Sequence, residues 1–271
     1  MKIFIAAALA ACAIPASALA EETDPPGAFE VSGSAALVSD YRFRGVSQTD
    51  KQMAVQAGAT VTHASGIYVG TWASNLAGWG TFGGSNMELD IYGGYSAAIA
   101  SGVTVDVGLT WYMYPGGADT TDFAEPYVKL SGDLGPANML VGVAYAPKQK
   151  ALANVSNTPQ SSGQSHDNLY IWTDLGAGIP GTPFSARAHL GYSNGNPGLG
   201  PNGTSIAPTG EYFDWLLGLD YALGPVTLGV SYVDTDISRA GSAYLLPGFA
   251  STKDGSTIAG STVLFSATAS F

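Results

Sequence analysis

Alternating polarity over strand-length segments is the feature that most constrains the fold of this chain. In residues 261–271, apolar or small side chains occupy every second position back from Phe271, and Ser or Thr fills most positions between them. A strand with this pattern has one apolar face and one polar face. Such a strand fits a boundary between a lipid-like environment and a wet one.

The same alternation recurs in twelve segments. They cover residues 28–44, 52–63, 66–75, 86–99, 103–114, 123–132, 137–146, 168–178, 184–193, 212–222, 226–234 and 257–271. Each approaches the about nine to eleven residues with which a tilted strand crosses a bilayer. Short and long links alternate between them, the long ones being 45–51, 76–85, 115–122, 147–167, 194–211 and 235–256. This predicts one antiparallel transmembrane β-barrel of about 12 strands, with short periplasmic turns and long extracellular loops.

The two ends of the chain carry their own signals. Lys2, an apolar stretch from Ile3 to Ile14 and the sequence Ala18-Leu19-Ala20 predict a cleaved signal peptide over 1–20. The only cysteine, Cys12, lies in a stretch that resembles a lipoprotein processing box, although the A-x-A site favours ordinary cleavage. We expect 21–27 to be a short N-terminal periplasmic segment and 28–271 to be the barrel. The final Phe271 resembles the end of a barrel-closing strand and is expected to act in assembly.

Charge and the length of apolar runs argue against two classes of protein. Ten Lys and Arg residues stand against 21 Asp and Glu residues, for a formal net charge of −11, which disfavours nucleic acid as a partner. After the signal, no apolar run reaches the about eighteen residues of a transmembrane helix. A soluble sandwich could share this composition, but it would not need aromatic rings at fixed strand ends.

Aromatic residues recur where the segments meet the long links. We expect these rings to form an interfacial girdle on the barrel exterior. They are Tyr41, Phe43, Trp72, Trp111, Tyr112, Tyr114, Tyr145, Tyr170, Trp172, Tyr192, Tyr212, Phe213, Trp215 and Tyr232.

Charged residues within the segments should point away from lipid, because Arg or Lys at the bilayer midplane costs about 2–4 kcal/mol. The lumen-facing candidates are Glu30, Asp40, Arg42, Arg44, Glu88, Asp90, Asp106, Glu125, Lys129, Asp174, Arg187, His189, Asp214 and Asp220. Nine of these are acids and four are Lys or Arg, so the interior should be net negative, and either wet or salt-bridged. Asp40, Arg42 and Arg44 are expected on the first strand, as a selective constriction or as partners of lumen acids.

Seven motifs together resemble the TorF-type family of conserved hypothetical bacterial proteins, which are assigned as outer-membrane porins. The motifs are SDYRFRGVSQTD (39–50), HASGIYVGTWASN (63–75), MELDIYGGY (87–95), WYMYPGG (111–117), EPYVKL (125–130), EYFDWLLGLDY (211–221) and YVDTDIS (232–238). The resemblance spans nearly all of the predicted barrel. It implies an outer-membrane channel, and it implies neither a settled substrate nor catalytic residues.

Catalysis has weaker support in the sequence. A nucleophilic hydroxyl needs an adjacent base, and the only histidines are His63, His166 and His189. We interpret His63 as a surface residue, His166 as a loop residue and His189 as a lumen residue with a structural or pore-lining role. No catalytic residue is predicted.

Metal binding is the other chemical alternative. Asp119 with Asp122, and Asp234 with Asp236, could offer oxygen ligands to Ca²⁺. Their spacing lacks the glycine and the distal glutamate of an EF-hand loop, so solvated acids are the favoured interpretation. No metal and no cofactor is predicted.

The sequence therefore favours a porin-like channel in the bacterial outer membrane. It would pass small hydrophilic solutes or ions by diffusion, with a cation preference. A non-conducting structural or surface-binding barrel is the alternative, and a lipid-acting enzyme is less favoured. Expected partners are outer-membrane lipid, the barrel assembly machinery and the solutes.

Overall fold

The computed structural model describes residues 27–155, 159, 161–196, 205–244 and 249–271. The predicted signal peptide, 1–20, lies outside the described residues. Among the described residues, no helix is long and apolar enough to span a membrane.

Twelve long strands form the wall of a closed antiparallel barrel. They are β1 (Phe29–Val38), β4 (Ala54–His63), β5 (Ile67–Asn75), β6 (Met87–Ala100), β7 (Val103–Met113), β8 (Phe123–Leu134), β9 (Ala137–Gln149), β10 (His166–Gly178), β11 (Phe184–Asn194), β12 (Glu211–Leu223), β13 (Val226–Thr235) and β14 (Thr262–Ser270). Neighbours in sequence pair in space, and β1 also pairs with β14 to close the barrel. The predicted fold is confirmed.

Three kinds of smaller element lie between these strands. A two-stranded hairpin is formed by β2 (Arg42–Phe43) and β3 (Val46–Ser47). Short 3-10 helices cover Gly78–Thr81 and Lys150–Leu152, and α1 covers Arg239–Tyr244. All of them belong to links at one end of the barrel, which we call the long-loop end. At the opposite end, the strands in the described part of the chain are joined by short turns, and we call it the short-turn end.

The strand boundaries agree with the predicted segments to within about three residues, except at the first and last strands. The predicted strand 28–44 ends at Val38, and the predicted strand 257–271 begins only at Thr262. The first difference places Asp40, Arg42 and Arg44 in the link after β1, so their predicted position on the first strand is wrong.

The exterior of the barrel is apolar. On β7, for example, Val107, Leu109 and Trp111 are 49%, 42% and 39% exposed, whereas Asp106, on the opposite face, points inward. Every wall strand contributes exposed large apolar side chains in the same two-residue period. Alternation along the chain therefore becomes one apolar outer surface and one polar inner surface.

The aromatic girdle is smaller than predicted. Trp111, Tyr145, Phe213 and Tyr232 are exposed on the outer surface, near the long-loop end. Seven of the other predicted girdle residues are instead buried, and for them the prediction is wrong: Tyr41, Phe43, Trp72, Tyr112, Tyr114, Tyr170 and Tyr212. Trp172, Tyr192 and Trp215 are half-buried.

Candidate functional site

Residues 39–53 connect β1 to β4 at the long-loop end, and residues 40–50 of this link are buried in the barrel interior, whereas 51–53 are exposed. We call this segment the inserted hairpin. Its side chains and backbone contact Glu88 on β6, Glu125 on β8 and Tyr212 on β12. A single segment can touch strands spaced around the whole wall only from inside the barrel. The inserted hairpin therefore fills part of the lumen.

Arg44 fixes the tip of the inserted hairpin to the wall. Its Nη2 donates to both carboxylate oxygens of Glu125, at 2.6 and 2.7 Å, and its Nη1 donates to the amide oxygen of Asn168. The guanidinium also stacks over the rings of Phe43 and Tyr170, 4.8 and 4.2 Å from their centroids. Charge-assisted and cation–π contacts of this kind are strong in a dry site.

Arg42 and Asp40 stabilise the hairpin itself. Arg42 Nε lies 2.7 Å from Asp40 Oδ2, and Nη1 of Arg42 donates to the carbonyl oxygens of Gly45 and Ile258. The other Asp40 oxygen accepts hydrogen bonds from the hydroxyls of Ser47 and Thr49. The two arginines therefore act differently, since Arg42 holds the turn together and Arg44 joins it to the wall.

Gly45 allows the hairpin tip to approach the wall closely. Its φ is +78°, a conformation that side chains other than glycine rarely adopt. A Cβ at this position would overlap Thr235 Cγ2 on β13 and lie 2.9 Å from Asp214 Cβ on β12. The glycine is therefore needed both for the turn and for the contact.

A buried apolar cluster closes around the inserted hairpin, and we call it the mouth core. It combines hairpin side chains with wall residues and with residues of the other long links. Its members are Tyr41, Phe43, Ala54, Trp72, Leu76, Phe82, Tyr92, Tyr112, Tyr114, Phe123, Ala146, Ala151, Leu152, Val155, Ile206 and Ala207. A smaller cluster beside it contains Val46, Tyr212, Phe249, Ile258 and Ala259. Apolar burial of this extent stabilises the inserted position.

Below the mouth core, ion pairs line the lumen. Arg187 Nε lies 3.0 Å from Asp220 Oδ2, and its Nη2 donates to Ser231 Oγ at 2.6 Å. Lys129 Nζ lies 3.6 Å from Asp106 Oδ2 and 3.9 Å from the centroid of the Tyr127 ring. These groups keep a small exposed fraction, between 11% and 17%, so this part of the lumen is wetter than the mouth.

His189 lies between two carboxylates on the lumen wall. Its Nδ1 is 2.6 Å from Asp174 Oδ1, and its Nε2 is 3.2 Å from Asp214 Oδ1. The Tyr170 hydroxyl lies 2.8 Å from the same Nε2 and also donates to Asp214. Because the Tyr170 ring carries Arg44 on its face, this network continues into the anchor of the inserted hairpin.

Within the described part of the chain, two lumen acids have no cation beside them. Glu88 accepts hydrogen bonds from the Tyr41 hydroxyl, with oxygen–oxygen distances of 3.1 and 3.2 Å. Asp90, the next residue on the same face of β6, is 5% exposed, and its Oδ1 has no hydrogen-bond partner among the described residues. The remaining candidate, Glu30, is exposed near the short-turn end.

The other chemical candidates have local structural roles. His63 Nδ1 lies 2.8 Å from Ser65 Oγ and 3.2 Å from Ser65 N, within one short turn. His166 Nδ1 lies 3.1 Å from its neighbour Asp167. These contacts join residues one or two positions apart, so they explain the placement of both rings without invoking catalysis.

Three of the four acids that could bind Ca²⁺ accept hydrogen bonds from backbone N–H groups. Asp122 Oδ1 accepts from the backbone N–H of Tyr114, and Asp236 Oδ1 accepts from that of Phe213. Asp234 accepts from the Tyr232 hydroxyl and from the Thr235 N–H. Across the described residues, no group of three or more His, Cys, Asp or Glu is arranged to hold a metal ion.

The sequence did not reveal the inserted hairpin. The polar and apolar alternation of β1 continues through residues 40–44, although the strand ends at Val38. The sequence pattern therefore does not mark the end of the strand. The signal available was chemical, because two arginines and a glycine at the end of an apolar strand are unusual for a membrane wall.

Several solved structures share the general shape of this barrel at low sequence identity. A KdgM porin in complex with disordered oligogalacturonate is 7% identical with a TM-score of 0.49, and the match covers 89% of this chain and 97% of that one. An outer-membrane channel from Pseudomonas putida F1 is 8% identical with a TM-score of 0.44, covering 92% of this chain and 100% of that one. No curated protein matches the sequence.

A model of a protein family matches the sequence and shows to which family the chain belongs. The model described as "Bacterial protein of unknown function (Gcw_chp)" matches residues 22–271, which is nearly the whole chain. That description does not contain the TorF-type name, so the resemblance read from the motifs stays a prediction. On the strength of this match, the chain belongs to the Gcw_chp family of bacterial proteins.

Proposed function

We propose that this chain is an outer-membrane channel that passes small hydrophilic solutes or ions and prefers cations. The observation that carries the proposal is the contrast between the two surfaces of the barrel wall. The outside exposes large apolar side chains on every strand, and the inside holds charged and hydroxyl groups. A lipid-facing wall around a polar interior is the arrangement of a transmembrane conduit.

The charge balance of the lumen supports the cation preference. Arg44, Lys129 and Arg187 are each paired with one acid of the wall. Acids remain in excess, because Glu88 and Asp90 have no cation partner in the described contacts and two carboxylates share His189. Charged side chains that line a pore set its ion selectivity, and excess acid attracts cations. The proposal includes no reaction and no cofactor.

The inserted hairpin limits what can pass. A barrel of twelve strands is narrower than the sixteen-stranded porins, and the hairpin and mouth core occupy its long-loop end. The docked hairpin narrows the lumen, so the proposed solutes are small. This gives the hairpin the role of a constriction.

Bilayer electrophysiology tests the proposal directly. Purified protein is inserted into planar bilayers, and the reversal potential is measured in a KCl gradient. We expect discrete conductance steps and a reversal potential on the cation-selective side. Replacing two partly exposed lumen acids, Asp174→Asn and Asp220→Asn, should lower that preference. Asp254→Asn, which removes one charge from an exposed loop, is the control and should leave selectivity unchanged.

A second function is favoured by a different observation. Phe123, Leu152 and Ala207 in the mouth core are completely buried, as in the core of a soluble domain. Such packing suits a closed barrel that presents its long loops at the cell surface. Folded protein that inserts into bilayers but shows no conductance at any voltage or pH would favour this structural function and refute the channel.

A further inference from the structure

Glu88 and Asp90 form an acidic pair directly beneath the inserted hairpin. They are two residues apart on β6, so both side chains point to the same face of the wall. Glu88 is 1% exposed and Asp90 is 5% exposed. Tyr41 of the hairpin donates its hydroxyl to Glu88 and rests against the Trp72 ring, with centroids 5.3 Å apart. The pair is therefore sealed from solvent by the hairpin.

The groups around the pair leave its charge uncompensated. From the hairpin it faces Tyr41, from β7 and the residue after it Tyr112 and Tyr114, from β8 Glu125, and from β6 itself Tyr92. None of these groups is a cation, and Arg44, the partner of Glu125, directs its Nη1 and Nη2 to Asn168 and Glu125. The neighbours of the pair are neutral hydroxyl groups or a further acid.

Two adjacent buried carboxylates cannot both stay ionised at low cost. Burial penalises an unpaired charge by several kcal/mol, and a second like charge nearby adds repulsion. One proton bound by the pair removes the repulsion between the two carboxylates, and a second proton removes the remaining buried charge. Asp90 Oδ1, buried and without a hydrogen-bond partner among the described residues, is an available position for a proton. The described groups offer no metal-binding arrangement of three ligands that would serve instead.

We propose that Glu88 and Asp90 form a proton-binding site that keeps the inserted hairpin in the mouth of the barrel when it is protonated and releases it when it is not. The inference rests on the proposed channel function and adds its regulation. At acid pH the pair holds a proton, and Tyr41 remains docked on it. As the pH rises, the proton leaves, the two carboxylates repel each other, and water must reach them. Moving the hairpin outward admits that water and opens the lumen.

Conductance as a function of pH is the first test. In wild-type protein, the open fraction should rise with pH by about tenfold or more, the change expected from two sites that interact by about one pK unit. In Glu88→Gln/Asp90→Asn, whose neutral amides imitate the pair with both carboxylates protonated, the open fraction should stay at its low acid-pH value. Asp106→Asn removes one lumen charge next to Lys129 and should keep the wild-type midpoint. A double variant that opens with the wild-type pH profile would overturn the inference.

Thiol labelling is a second test that does not depend on current. The only cysteine of the sequence is Cys12, in the predicted signal peptide, so a cysteine added to the barrel reports alone after cleavage. Val46→Cys, 2% exposed in the hairpin, is treated with a membrane-impermeant maleimide over a range of pH. The labelling rate of Val46→Cys is divided by the rate of Ser162→Cys, which lies in an exposed loop. This labelling ratio corrects for the increase in thiolate, the reactive form of cysteine, as the pH rises.

The two tests separate the inference from the function on which it rests. A labelling ratio that rises with pH, and becomes flat when Glu88→Gln/Asp90→Asn is added, supports the proton site even if no current is seen. In that case only the channel function fails. A ratio independent of pH overturns the inference, and a ratio that follows K⁺ or Ca²⁺ concentration at fixed pH replaces the proton with a metal cation. Heat-modified mobility on gels verifies that each variant retains the barrel.

Discussion

Removing the Arg44 side chain should release the inserted hairpin while the barrel wall stays intact. The Arg44→Met variant keeps much of the side-chain length but loses the donors to Glu125 and Asn168 and the charge over Tyr170. Glu125, 3% exposed, would then be a buried carboxylate without a cation. The expected result is an open lumen with normal strand pairing.

The size of the effect follows from the burial of the pair. The Arg44 and Glu125 side chains are 1% and 4% exposed, so water screens their attraction little. Removing one partner of a buried ion pair costs about 3–5 kcal/mol. Because Arg44 Nε is buried without a hydrogen-bond partner among the described residues, the lower end of that range is more appropriate. A loss of about 3 kcal/mol shifts the docked-to-released equilibrium by about two powers of ten.

Limited proteolysis and conductance measure this shift independently. Trypsin should cut Arg44→Met after Arg42, which is 5% exposed while the hairpin is docked, under conditions in which Arg42 of the wild-type protein is resistant. The open fraction in bilayers should rise in parallel. Lys129→Met, which removes a lumen cation that pairs with Asp106 below the mouth, is the matched control and should keep the hairpin resistant.

A double variant separates anchoring from charge removal. Replacing a buried ion pair by apolar groups is often neutral or stabilising, so Arg44→Met/Glu125→Met should recover most of the docking lost by Arg44→Met. A single variant that resists trypsin and stays closed like wild type would refute the anchor. A double variant as labile as the single one would show that the lost energy came from Asn168 and the aromatic faces instead.

Three further changes test other parts of the structure. Gly45→Ala places a methyl group against Asp214 and Thr235 and should make the hairpin protease-sensitive, whereas Gly102→Ala, with a similar φ of +74° and open space, should not. Deleting Phe271, whose N–H and carbonyl pair with Gly33 across the seam, should reduce assembled barrel in outer-membrane fractions more than Phe265→Ala does. Leu109→Arg, on the outer surface of β7, should lower the free energy of unfolding in lipid by about 2–4 kcal/mol, measured by urea titration.

Each of these has a clear contrary outcome. Equal protease resistance of both glycine variants would mean that the hairpin tip is not confined by β12 and β13. Normal assembly without Phe271 would mean that this residue contributes only to local packing against Gly33. The packing is close, because a Cβ added to Gly33 would lie 2.5 Å from Phe271 Cζ. Unchanged stability of Leu109→Arg would place that residue outside the hydrocarbon region.

The wall could be predicted from the sequence because it obeys one local rule. On β7, Val107, Leu109 and Trp111 face outward, whereas Asp106 and Tyr112 face inward. The two sets alternate because neighbouring side chains of a strand lie on opposite faces. Each strand pairs with its neighbours in sequence, so a local pattern is enough to place it. The same rule fails after Val38, where the alternation continues although the chain has left the wall.

The sequence does indicate which aromatic rings face inward, because residues an odd number of positions apart on a strand lie on opposite faces. Trp72 lies three residues after Val69, which is exposed, and Tyr112 directly follows the exposed Trp111, so both belong to the inward face of their strands. Proximity to a long loop does not decide which face of a strand a ring occupies, so the girdle expected from proximity is larger than the observed one. The partners of Arg44 were beyond sequence reasoning, because residues 44, 125 and 168 meet only after the barrel closes.

Two charge clusters act on the same hairpin in opposite senses. The ion pair of Arg44 with Glu125 holds it in the mouth, and the pair of Glu88 with Asp90 acts against that position whenever it is ionised. Tyr112 connects them, because its hydroxyl donates to Glu125 while Asp90 lies opposite it on β6. Neither cluster alone sets the state of the lumen. The position of the hairpin depends on the difference between these two electrostatic energies. Binding or loss of a single proton can change that difference, even though the mouth core that surrounds the hairpin is large and apolar.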